Sequence, residues 1–509
     1  MPKKSRTVQR HSHGDKRKHT LAYVLLAALL ICLAVYLFTH LEAPSFFDDD
    51  TEYEGLAFVF SNGQTSFFTP PFSARILQII PIAAFYKIMG VNLVSNAMWD
   101  ITSTLLLVLI TFFIGKELYS EYAGLLAAFF LSFIPIINSL AATGNETIPM
   151  AMFASLAVLS FIKGYSRNSM MWYLASGVSI FASFLVSPLG VVIGVVIIAY
   201  MLIMKIGHAL NKTRIEITRK GLGIVWGIIF SALLLALFDY IISGNPLRIF
   251  SASLGFVSVH FIIPAAPTPY YEALLLPGFN PFAQHMINAN ALFFYLSIVA
   301  SAYLLLKKSK AAYLPAFWLL FGILYLLAGP MYVGLFPFKY SVIPQEWRFL
   351  TMIAVPMALL PAIFLVKLAE ESKKHRLHIL IAIAIAISIL LYVSAASNNA
   401  SYKGYLAFMR PQFYLASYLN ALPNSTTIYL PIQTPAVITY MHFDNLSRFK
   451  GYSEPLQNCT YAEEYDYIIA TANISGSSSS LACASLHQID FLQNKTVVPR
   501  PELYLYRNG

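Results

Sequence analysis

Charged side chains are scarce in this chain. Asp, Glu, Lys and Arg make up 11% of the 509 residues against 58% apolar ones, and mean hydropathy is +0.64. A soluble domain carries about 25% charged residues. So few charges exclude a chain that covers itself with a water-facing surface. Cysteine is also rare: Cys32 lies in the first apolar run, and Cys459 and Cys483 lie near the C-terminus. No internal repeat is visible, which argues against the repeated halves that many transporters show.

What the chain has instead is long apolar runs. A helix needs roughly 20 apolar residues to cross about 30 Å of hydrocarbon. Eleven candidate spans fall near 20–39, 97–115, 122–141, 147–163, 171–187, 189–206, 221–243, 291–306, 311–329, 349–367 and 378–396. The fifth and sixth meet at Ser187-Pro188, where proline ends a helix. The first run has no small-residue cleavage site before Glu42 and reads as a retained anchor. The expected fold class is an α-helical polytopic membrane protein of about eleven transmembrane helices, with a small α/β soluble C-terminal domain outside the membrane. Three regions follow: a basic segment 1–19, a membrane region 20–396 and a polar domain 397–509.

Loop charge gives the orientation. With a cytoplasmic N-terminus, most of the 34 Lys and Arg fall on cytoplasmic segments, among them Lys307, Lys308, Lys310, Lys373, Lys374 and Arg376. The opposite loops carry only Arg75, Lys87, Arg248, Lys339 and Arg348. This is the positive-inside pattern. The net charge of +10 is therefore mostly topology, and its expected partner is anionic lipid headgroups, not nucleic acid. The expected location is the cell membrane, with the C-terminal domain extracytoplasmic.

The tail supports that side assignment. Asn399, Asn424, Asn445, Asn458, Asn473 and Asn494 each open an N-x-Ser/Thr sequon, an excess that points to a glycosylated outer surface. A Cys459–Cys483 disulfide would suit an oxidising exterior. Strand-like runs at 426–431, 465–470 and 502–506 are separated by Pro, Asn and Ser clusters.

Three outer loops, 40–96, 244–290 and 330–348, are long enough to hold a site. The first contains Asp48, Asp49, Asp50, Glu52 and Glu54, five carboxylates in seven residues. Neighbouring like charges raise one another's pKa. One such carboxylate can act as a general base, two can share a divalent cation, or the segment can be a solvated acidic turn. The residues alone leave these open. Beyond Thr69-Pro70-Pro71-Phe72, residues 74–89 have helical spacing and can lie in the interface plane. Glu146 opens the fourth span on the same side as Asp49, where a helix dipole favours a carboxylate. Arg348, entering the tenth span, can snorkel or bind a lipid phosphate; Lys339 is a second cation. His260 reads as a packed histidine.

Three segments together resemble the type C superfamily of membrane glycosyltransferases, nearest its protein O-mannosyltransferase and lipid A aminoarabinose transferase branch. They are Asp49-Asp50-Thr51-Glu52-Tyr53 with the following Pro-Pro segment, Gly115-Lys116-Glu117-Leu118-Tyr119 through Tyr122-Ala123-Gly124-Leu125-Leu126 to Glu146, and Arg348-Phe349-Leu350 through Pro356. Ser243-Gly244-Asn245-Pro246-Leu247 also looks typical of that superfamily. The resemblance covers residues 20–396. It implies Asp49 as the base, Asp50 as the adjacent acid with Asp48 one register away, Glu146 at a position more often aspartate, and Arg348 with Lys339 on the lipid phosphate.

The implied reaction moves a sugar from a polyprenyl (dolichyl-type) phosphate to a hydroxyl of a protein, lipid or glycan acceptor at the outer face, with inversion. A divalent cation is the one cofactor the acidic segment suggests. The Trp-Trp-Asp motif expected in the tail of an oligosaccharyltransferase catalytic subunit is missing, which argues against that alternative. A transporter or flippase for lipid-linked sugars is the reading from another class. A scaffold that presents the glycosylated tail is a third. Against a transporter stand apolar helix interiors, with Asp100 and Asp239 near outer helix ends.

Overall fold

The computed structural model describes residues 8–41, 49–63, 75–141, 143–210, 220–249, 289–328, 330–335, 338–342, 347–371 and, in the tail, 421–423, 426, 428–429, 449–450, 467–470, 486–489 and 504–508. The described helices of the membrane region are α1 (Val8–Thr39), α2 (Asp49–Ser61), α3 (Ile76–Met89), α4 (Leu93–Leu118), α5 (Glu121–Phe133), α6 (Pro135–Leu140), α7 (Thr147–Arg167), α8 (Met170–Val186), α9 (Val191–Leu210), α10 (Leu222–Ser243), α11 (Ala289–Leu306), α12 (Lys310–Ala328) and α13 (Thr351–Glu371).

Ten of the eleven expected spans fall on these helices; the last, 378–396, lies outside the described residues. Among the described residues, six helices are long and apolar enough to cross a membrane on their own, among them α4, α7 and α13. Shorter apolar helices account for the other expected spans within the described residues. The third span is one difference. Pro135 stands at the first position of α6, so the run 122–141 breaks into α5 and α6 at an extended Ile134. The break expected at Ser187-Pro188 is present, followed by a 3-10 turn into α9.

Local signals set the ends. Asn92 caps α4 reciprocally with Ser95, each side chain receiving the other's backbone N–H. Asn168 ends α7 in the left-handed region. Helices α8 and α10 approach closely through small residues: a Cβ on Gly177 would lie 2.0 Å from the Ile224 carbonyl oxygen.

α13 is the centre of the bundle. Its first three turns are buried almost all round, against α5, α11 and α12. By contrast α1 and α10 keep wide apolar faces exposed, including Val24, Ile31, Leu233 and Ile241. An all-apolar helix with one exposed face is the pattern of a lipid-facing span.

Two elements of the outer loops were not foreseen as such. The acidic segment is not a turn: α2 starts on Asp49. The loop 330–348 contains an antiparallel hairpin, β1 (Pro330–Leu335) and β2 (Phe338–Val342). In the tail, five short strands form one sheet of order β4-β3-β5-β7-β6: β3 (Ile428–Tyr429), β4 (Phe449–Lys450), β5 (Tyr467–Ala470), β6 (Leu486–Ile489) and β7 (Tyr504–Asn508). β3 pairs parallel with β4 and β5, and β7 antiparallel with β5 and β6. Of the expected strand runs, 426–431 and 465–470 contain β3 and β5, and 502–506 overlaps β7, which runs on to Asn508. The six sequon asparagines, Cys459, Cys483, Asp48 and His260 lie outside the described residues.

Candidate functional site

α2 carries Asp49 and Asp50 in its first turn, where the helix dipole favours negative charge. One turn further on, Tyr53 and Glu54 are both fully buried. Helix positions four apart share a face, so Asp49 falls on the Tyr53 face and Asp50 on the Glu54 face.

Glu54 enters a polar cluster between α2, α3, α4 and the loop before α7. The Asn96 amide Nδ2 donates to Glu54 Oε1, and the Tyr86 hydroxyl donates to Asn96 Oδ1 at 2.8 Å. The Gln78 amide donates to the Gly144 carbonyl at 2.7 Å. The Asn145 N–H donates to Asp100 Oδ2 at 2.8 Å, and the Thr147 N–H and hydroxyl both donate to Asn145 Oδ1. Gly144 has φ +84°, and a Cβ there would lie 2.9 Å from Glu54 Oε1. Only glycine gives this loop both its left-handed backbone and its closeness to the carboxyl. Burial holds Glu54 well above the usual carboxylate range; the Asn96 bond opposes this and Asp100 adds to it.

Glu146 sits immediately before α7 and is buried. Its carboxylate meets the Arg75 guanidinium at 2.8 Å, and that guanidinium lies over the Tyr53 ring, 5.0 Å from the centroid. Arg75 and Gln78 therefore do not form the wet side of an interfacial helix. Both are buried against protein.

Arg348 lies in a short 3-10 turn, Trp347–Leu350, that packs on α6 and leads into α13. It is buried, with its guanidinium 5.3 Å from the Phe349 ring centroid. Lys339 is on β2, opposite Gly334. An apolar cavity runs between α7, α9, α12 and α13, lined by Met150, Ala151, Val196, Trp318, Thr351 and Met352 among others. Its lining begins four residues after Glu146 and three after Arg348. Among the described residues, no three His, Cys, Asp or Glu side chains form a group that could hold a metal ion.

The structure thus joins Glu146 to a network that sequence reading missed: Glu54, Arg75, Gln78, Tyr86, Asn96 and Asp100. One signal was there. Asn96, Asp100, Ser103 and Thr104 form a polar stripe on one face of an otherwise apolar helix, and all four are buried.

Residues 76–235 match the family described as dolichyl-phosphate-mannose-protein mannosyltransferase. The crystal structure of apo ArnT from Cupriavidus metallidurans superposes with a TM-score of 0.59 at 14% identity, covering 97% of this chain and 98% of that one. The two chains share their fold. ArnT bound to undecaprenyl phosphate matches with a TM-score of 0.56 at 13% identity, over 96% and 98% of the two chains. The apo oligosaccharyltransferase of Archaeoglobus fulgidus gives a TM-score of 0.48 at 14% identity, over 88% of this chain and 69% of that one. No curated protein sequence matches significantly. With this fold and its apolar helices, the chain is an integral, multi-pass membrane protein.

Proposed function

We propose that this protein transfers a sugar from a polyprenyl-phosphate donor to an acceptor hydroxyl at the outer membrane face, with inversion. The observation that carries the reading is the docking of α2. Its first turn bears Asp49 and Asp50, and its next turn is fixed by Glu54 and Tyr53 onto the loop and cation that hold Glu146. Such a fixed carboxylate-bearing turn suits a general base.

In this mechanism Asp49 takes the proton of the acceptor hydroxyl. The freed oxygen attacks the anomeric carbon from the side opposite the phosphate. The bond from that carbon to the phosphate oxygen breaks, and the phosphate leaves with the electron pair. Arg348, assisted by Lys339, stabilises the charge that grows on it. The polyprenyl tail stays in the hydrocarbon of the membrane while its phosphate reaches Arg348. A divalent cation at the acidic segment would help to neutralise the same phosphate.

The membrane orientation belongs to the same proposal: basic N-terminus in the cytoplasm, glycosylated tail outside. A membrane-impermeant thiol label should then reach a cysteine at Ser478 and miss one at Lys310, which is exposed where neighbouring Ser309 is buried. The activity itself is tested with purified protein and a panel of radiolabelled polyprenyl-phosphate sugars, scoring release of the lipid phosphate together with label on peptide or lipid acceptors. Transport of intact donor across vesicles without bond cleavage would overturn the enzyme reading.

A further inference from the structure

We infer that Glu54 and Asn96 are positioning residues for the transfer: their buried bond fixes the first turn of α2 against the loop that carries Glu146. The inference rests on the glycosyltransferase reading for its kinetic part only.

A carboxyl buried in protein costs stability unless its partners compensate. An apolar residue at position 54 would bury more simply. The polar side chain instead closes a directed chain across three helices: the α3 hydroxyl of Tyr86 donates to Asn96 of α4, and Asn96 donates to Glu54 of α2. The loop is tied to the same helices. Gln78 of α3 holds the Gly144 carbonyl, and Asp100 of α4 holds the Asn145 N–H. α2 meets the loop where Gly144 lies flush on the Glu54 carboxyl. Glu54 is one helical turn from Asp50. Loss of its bond therefore frees the turn that bears the proposed base, while Arg348 and the apolar cavity lie on other elements and stay as they are.

The test uses the full-length protein with Glu54→Gln, Glu54→Ala, Asn96→Ala and the double alanine variant. Glu54→Ala should lower kcat about 10–100-fold, since a misplacement near 1 Å costs about that much. KM for the lipid donor should stay within about 2-fold, because donor contacts are untouched. Glu54→Gln should keep near wild-type kcat, as its amide oxygen still accepts from Asn96. Asn96→Ala should match Glu54→Ala, and the double variant should be no worse than either. Hydrogen exchange over residues 49–61 should quicken in the alanine variants and not in Glu54→Gln. Should Glu54→Ala fail to fold, Asn96→Ala carries the same comparison. If wild type transfers no sugar, the functional reading fails and exchange alone judges the pair. Unchanged exchange and kcat in both alanine variants, or a Glu54→Gln as damaged as Glu54→Ala, would overturn the inference.

Discussion

Arg75 and Glu146 form a buried ion pair, 2.8 Å apart, between the residue before α3 and the residue before α7. The pair ties the start of α3 to the start of α7. Removing one partner leaves an uncompensated buried charge, which costs about 3–5 kcal/mol. Glu146→Ala should therefore lower the unfolding midpoint of the purified protein sharply. Arg75→Met with Glu146→Leu should recover most of that stability, since apolar pairs of similar volume often replace buried ion pairs without loss. Sugar transfer should stay abolished in the double variant. Recovered transfer would reduce the pair to scaffolding and remove Glu146 from the site.

Glu54 gives a pH dependence of stability with a definite sign. Its carboxyl lies on α2, outside the candidate membrane spans, and burial raises its pKa in the folded protein above the unfolded value of 4.5. The folded state then holds the proton more tightly than the unfolded one. The contribution is complete below 4.5 and is lost as pH rises toward the folded pKa. Wild type should lose thermal stability upward through this window, and Glu54→Gln, which has no proton to lose, should lose less. The difference between the two melting curves should widen with pH. A constant difference across the range would mean that Glu54 has the same pKa in the folded and the unfolded protein.

Asp49→Asn keeps size and removes the base. Transfer should fall by about two to four orders of magnitude, with folding and membrane insertion intact. Asp50→Asn, on the Glu54 face of α2, should fall less. If the order is reversed, Asp50 takes the proton and the register of the acidic motif shifts by one.

Much of the bundle was legible because hydropathy is a local property. The runs over α4, α7 and α13 announce themselves in twenty residues each. Ser187-Pro188 announced a break, whereas Pro135 was absorbed into an apolar run and hid one. The site was less legible because its bonds join distant positions. Asn96 reaches Glu54 across 42 residues, and Gln78 reaches Gly144 across 66. Sequence spacing shows that Asn96 and Asp100 share a helix face, but it carries no sign of what covers that face. The acidic run gives no sign that Glu54 is sealed inside; only packing shows it. Arg75 was counted as a loop cation for the same reason.

Arg348 separates an enzyme from a scaffold. A snorkelling arginine would extend toward an interface, with its charge in water. Arg348 is instead enclosed by protein in a 3-10 turn, its guanidinium beside Phe349, and the next residues line the apolar cavity. Arg348→Lys retains the charge and loses the planar fork that can hold two phosphate oxygens; Arg348→Ala loses both. If the residue binds the donor phosphate, affinity for the lipid donor should fall from wild type to Lys to Ala, and turnover with it. A pure packing role predicts a different order of effects: thermal stability falls in both variants, while donor binding per folded molecule stays constant. Binding of a polyprenyl phosphate to each purified variant in detergent, measured beside its melting curve, reads the two separately. Equal binding by all three would take Arg348 out of the site and leave the leaving-group charge without its proposed partner.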